Sequence, residues 1–93
     1  MRVGVLRVYF MILDARSLKQ KRMVMRSLKD RLASRFNLSI AEIGANDKWQ
    51  IGELGMATVG NDGRFVGSVL EKAKSFLYLD PRISVLEAEI EVL

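Results

Sequence analysis

Residues 3–13 read VGVLRVYFMIL, and they restrict the possible folds more than any other stretch of the chain. β-Branched and aromatic side chains dominate the segment and no proline breaks it, so it is expected to form a strand. Its even positions, Leu6, Val8, Phe10 and Ile12, make one apolar face. Its odd positions, Val3, Val5, Tyr9 and Met11, make a second, interrupted only by Arg7. A strand apolar on both sides belongs in the middle of a sheet whose two faces are both at least partly covered. Later segments must therefore supply strands for both of its edges.

Those segments are present. Ser17, followed by Leu18-Lys19-Gln20, fits a capping box in which Ser17 accepts from first-turn amides and Gln20 reaches back to the Ser17 amide. At 100° per residue, Leu18, Val24, Met25, Leu28, Leu32 and Phe36 fall within an arc of about 120°, the width of a buried helical stripe. Asn37 ends the helix at or near its C′ position. Residues 38–44 alternate as a short strand, residues 45–50 form a polar connection, and residues 51–60 form a glycine-thinned strand, together a β-hairpin. Asn61 or Asp62 caps a second helix on which Phe65, Val69, Leu70, Ala73, Phe76 and Leu77 recur at helical spacing. Asp80-Pro81 stops it. The last segment alternates Leu86, Ala88, Ile90 and Val92 with Glu87, Glu89 and Glu91, while Ile83 and Val85 lie in the opposite phase, which predicts a bulge near Val85 and Leu86.

The order βαββαβ fits an α+β, ferredoxin-like sandwich: one domain over residues 1–93, with four antiparallel strands ordered 4-1-3-2 and two helices on one face. Right-handed crossovers place the first and third strands side by side at the centre. A chain of 93 residues has room for one core, burying roughly 60 to 65% of its unfolded surface. It contains no cysteine and no histidine, which removes disulfides, thiolate chemistry, the usual general base and the commonest metal ligand. No apolar run reaches the roughly 18 residues of a membrane span, and no signal-peptide cleavage site follows the first strand, so a cytoplasmic protein without membrane contact is expected.

Charge is distributed unevenly. Residues 16–35 hold eight of the fifteen basic residues and a single acid, Asp30, whereas the remainder of the chain is net acidic. Lys19, Arg22, Arg26 and Lys29 fall within an arc of about 80° beside the apolar stripe, so they form a row on one helix. Arg16, Lys21, Arg31 and Arg35 extend it. Such a row is either a solvated face or a contact for an acidic partner. Four cations on a rigid helix follow a phosphate backbone without reading its sequence, and RNA is the acidic partner expected here. Lys21 is an exception within the row, because its helical angle lies inside the apolar arc. Its stem either snorkels out or carries the ammonium to a specific group at the end of the sheet.

Trp49, the only tryptophan, lies in the polar connection beside Lys48. It either stacks on an unpaired base or folds back over the open end of the core. The GNDG of residues 60–63 matches the KH-domain loop pattern, but Asp62 would repel phosphate, and turn and cap is the better reading. Base stacking on the sheet, as in an RRM, is not expected, since Tyr9 is the one candidate aromatic on the central strands. Glu87, Glu89 and Glu91 repeat on one strand face. Paired carboxylates can bind Mg²⁺ or act as acid and base, but a charged outward face on an edge strand explains them. No Walker loop, nucleophile elbow or dinucleotide fingerprint is present. No cofactor, no metal and no catalytic activity are expected.

The opening VGVLRV, the run ARSLKQKRMVMRSLKDRL with RFNLSIAEIG after it, then DKWQ, LGMATVGND and RFVGSVLEKA resemble the small bacterial YlxP-like family, domain of unknown function 503, over nearly the whole chain. Residues 17–22, SLKQKR, are the most specific piece. Gln20 stands where the family pattern carries Glu, a departure that touches helix capping more than surface charge. The resemblance implies a ferredoxin-like fold and suggests an origin among genes for translation factors and ribosome maturation. The expected function is a non-catalytic RNA- or ribosome-associated accessory protein. A homo-oligomeric scaffold or small-ligand regulator without nucleic-acid binding is the alternative, by analogy of fold alone. The second apolar face of the first strand, Val3, Val5, Tyr9 and Met11, would meet water in a monomer, so a homodimer packed sheet to sheet is expected. Leu38 and Ile40 would enlarge that face if the second strand presented its even positions there.

Overall fold

The computed structural model describes residues 1–93. The chain runs β1 (Arg2–Ile12), α1 (Leu18–Arg35), β2 (Ser39–Gly44), β3 (Ile51–Gly60), α2 (Gly63–Tyr78) and β4 (Ile83–Val92). The four strands form one antiparallel sheet ordered β2-β3-β1-β4, the ferredoxin-like arrangement expected from the element order. β1 is central, paired along its length with β3 on one edge and β4 on the other.

Both helices cover the even-numbered face of β1. Leu6, Val8, Phe10 and Ile12 are buried there with Met25, Leu28 and Leu32 of α1 and Val66, Leu70, Ala73 and Leu77 of α2. Phe10 lies opposite Gly52, where a Cβ would stand 2.7 Å from the ring and 2.9 Å from the Met25 sulfur. That glycine leaves room for the largest core ring between the sheet and α1. Val66 takes the buried position expected of Phe65, which is instead 61% exposed. The two differ by 100° around the helix, and the smaller side chain fits against Gly4 and Gly60 of the strands below.

The bulge falls where the change of phase placed it. Tyr9 pairs with Glu87 and Phe10 with Val85, which leaves Leu86 unpaired. The extra residue returns Ile83 and Val85 to the helix side, in line with Ala88, Ile90 and Val92. Ser17 caps α1 by accepting from the Gln20 amide at 3.2 Å. The Gln20 side chain accepts from the Arg16 amide at 2.6 Å rather than from that of Ser17, so the reciprocal bond is displaced by one residue. Asp62 caps α2. Ile40 pairs with Met56 and, like Leu38, packs on the helix side. The proposed enlargement of the open face by these two residues is therefore incorrect. No helix is long and apolar enough to cross a membrane.

Candidate nucleic-acid interface

Apart from the buried Lys21, the cations of α1 fall into three groups because of what packs on either side of it. On the flank toward β2, the Lys29 ammonium lies 3.4 Å from the Glu42 carboxylate. On the opposite flank, Arg31 stands 3.9 Å from Asp80 and its guanidinium lies over the Phe76 ring at 5.7 Å, joined there by Arg35 at 5.0 Å. Between the flanks, Lys19, Arg22 and Arg26 are exposed and have no carboxylate within 4.0 Å. These three line a shallow surface groove of about 560 Å³ with Met23, Asp30 and Arg31. The row inferred from sequence is thus present in part. Lys29, at its edge, is engaged by Glu42.

Lys21 does not belong to the row. It is 2% exposed, and its ammonium donates to the Ala45 carbonyl and, at 2.5 Å, to the Lys48 carbonyl. The side chain therefore aims at a specific target and does not snorkel, which removes it from any phosphate-facing set. Burial pushes the Lys21 pKa down, against the pull of Glu42 and Asp47 upward. Two carbonyl acceptors compensate for the water it has lost.

Trp49 follows Lys48 in the same connection and is 40% exposed. It borders a cavity of about 320 Å³ at the end of the sheet, with Met11, Leu13, Asp14 and Arg16 among its neighbours. The indole thus neither closes the core completely nor stands free of it.

Sequence reasoning missed the cluster that anchors the far flank of α1. Asp80 is 7% exposed. It accepts from the Arg82 amide at 2.9 Å and from its guanidinium at 3.0 and 2.8 Å. Arg82 in turn donates to the Ser27 hydroxyl of α1 at 3.0 Å. The hydrogen bonds from Arg82 hold the Asp80 carboxyl below the usual carboxylate range, although burial opposes them. The same carboxylate raises the Arg82 pKa. Asp80-Pro81 signalled a helix stop, and nothing in that pattern signalled an ion pair two residues long.

The open face of the sheet carries Val3, Val5, Tyr9 and Met11 on β1, as their odd positions require. Ala57 and Val59 of β3 and Ile43 of β2 lie beside them. Met11, Ile43, Val59 and Leu86 are exposed. Arg7 stands near the middle, 3.5 Å from Glu53 and 3.4 Å from Glu89, whereas Glu87 and Glu91 have no cation within 4.0 Å.

Residues 3–90 match the model of a protein family described as "Protein of unknown function (DUF503)". The chain belongs to this family. Within it, the chain is 38% identical to the "Uncharacterized protein YlxP" of Bacillus subtilis (strain 168) over 72 residues, which cover 77% of this chain and 78% of that relative. The DUF503 description assigns no activity, so the geometry of α1 and of the open sheet face carries the functional argument.

Proposed function

We propose that this DUF503 protein is a non-catalytic cytoplasmic RNA-binding accessory protein, acting on an RNA or a ribosomal particle, whose outer α1 surface contacts the phosphate backbone. The observation that carries the reading is the group Lys19, Arg22 and Arg26, exposed in one groove with no carboxylate partner in the chain. The rise from Lys19 to Arg26 is about 10 Å along a rigid helix, so the cations are held at fixed spacing before any ligand arrives. Counterion release from phosphates then supplies affinity that is independent of base sequence. Three contacts give a log–log slope of affinity against salt of roughly −2 to −3. Filter binding or anisotropy across a salt series measures it, and Arg22→Glu combined with Arg26→Glu should abolish binding with the fold intact. A flat salt response, or unchanged binding by the double variant, would overturn the proposal.

A second reading, homo-oligomerisation through the sheet, has its own observation. The open face presents Val3, Val5, Tyr9 and Met11 with exposed Ile43 and Val59, and places one cation, Arg7, among four glutamates of which two lack a partner. A two-fold contact covers the apolar residues and offers each Arg7 the free carboxylates of the other copy. The α1 grooves would then face outward on both sides, so this reading stands with RNA binding or without it.

A further inference from the structure

The connection between β2 and β3 is fixed more firmly than its polar sequence requires. The Ala45 carbonyl accepts from the Lys48 amide at 3.1 Å and also from the Lys21 ammonium. The Lys48 carbonyl accepts from the same ammonium. The Gln50 carbonyl accepts from the Ile12 amide at 2.7 Å. Trp49 is thereby flanked on both sides by peptide groups tied to α1 and β1, and Ala45 holds a left-handed φ of 57° to make the turn. A buried lysine is an expensive way to tie down a loop whose aromatic residue remains 40% exposed.

Fixed aromatic surface beside cations is the arrangement that unpaired bases use. A base stacks on an indole whatever its identity, while neighbouring cations take its phosphates. Trp49 shares its cavity with Arg16, and Arg16 directly precedes the helix that carries Lys19, Arg22 and Arg26. Lys21, on that same helix, holds the Lys48 carbonyl that directly precedes Trp49.

We propose that Trp49 and Arg16 form a stacking site for one unpaired base at the N-terminal end of the α1 groove, so that the ligand is RNA with a single-stranded stretch rather than a continuous duplex. Lys21 acts as the positioning residue. This rests on the phosphate-binding reading of α1 and adds to it a preference for the state of the RNA. A continuous duplex keeps its bases stacked on one another and offers none to Trp49.

The test compares a twelve-nucleotide single strand with a twelve-base-pair duplex of the same sequence, both RNA, on the full chain at fixed low salt. The single strand should bind more tightly and quench the Trp49 fluorescence, and the duplex should leave the emission unchanged. Trp49→Ala should weaken single-strand binding by about 5- to 150-fold and leave duplex binding as it was. Trp49→Phe should retain most of the affinity, which guards against a variant that merely misfolds. Lys21→Met should reduce the single-strand preference while the duplex affinity persists. Loss of both affinities together in Trp49→Ala and Trp49→Phe, or retention of single-strand affinity in Trp49→Ala, overturns the stacking site. If in that case Arg22→Glu with Arg26→Glu still removes binding, the phosphate reading survives alone. If neither RNA binds the unmodified protein, both fall.

Discussion

Two charged side chains are buried in this small core, and each is stabilised by a different means. Lys21 has no counter-ion in hydrogen-bond contact and relies on two backbone carbonyls. Asp80 has a fork-like pairing with Arg82 and a backbone amide besides. The second arrangement has a definite dependence on pH. The Asp80 carboxyl is held below its ordinary value in the folded chain, so it binds its proton more weakly folded than unfolded. Its contribution to stability is complete above the ordinary carboxylate pKa, near 3.9, and is lost as pH falls through that range toward the folded value. Urea titrations between about pH 7 and pH 3 should show this loss in the wild-type chain. Asp80→Asn should be less stable at neutral pH by about 1.5 to 3 kcal/mol and should show a shallower decline on acidification. Equal slopes for the two chains would show that Asp80 is not among the groups responsible.

At the scale of elements, the helices approach the sheet most tightly at two of its glycines. A Cβ at Gly4 would collide with the Val66 and Leu70 side chains of α2, and one at Gly52 with Phe10 and Met25 beneath α1. Gly4→Ala and Gly52→Ala should therefore each destabilise the chain by about 1 to 3 kcal/mol, through overpacking of a closed core. Gly67→Ala should not, since its nearest neighbour, Val92, would be at an ordinary 3.9 Å and alanine favours the helix. Thermal denaturation of the three variants checks the contrast. The elements themselves were legible because their periodicities are strong: the two-sided β1, the helical stripe of α1 and the phase change in β4 each have one physical explanation. What the pattern could not show was contact across elements. The burial of Val66 is the exception, since Leu70, Ala73 and Leu77 follow it at four, seven and eleven positions, a spacing that places Val66 inside the buried stripe and Phe65 at its edge. Lys29 belongs to the basic arc by angle, but the neighbouring β2 supplies Glu42. Lys21 lay inside the apolar arc, a correct warning of an unusual role, while its carbonyl partners belong to a loop 24 and 27 positions away.

For the whole molecule, the two faces of the sheet have opposite demands. One is closed by helices whose outer side is basic, and the other is open, apolar along β1 and edged with glutamates. If a second copy covers the open face, light scattering at micromolar concentration should give a mass near twice the 10.5 kDa of one chain, and Tyr9→Glu should return it to the single-chain value. A wild-type mass of one chain would end the dimer reading without touching that of α1. The central place of β1 also governs how the chain acquires its structure. Arg2 pairs with Gly60 and Gly4 with Val92, so β1 is bordered on one side by β4, the strand farthest from it along this domain. Closing such long loops precedes any reward from the contacts they permit, which slows folding relative to helical proteins of this size. Within this domain the doubly apolar β1 is synthesised before both strands that border it, and until β4 is made one of its edges stays unpaired and open to aggregation.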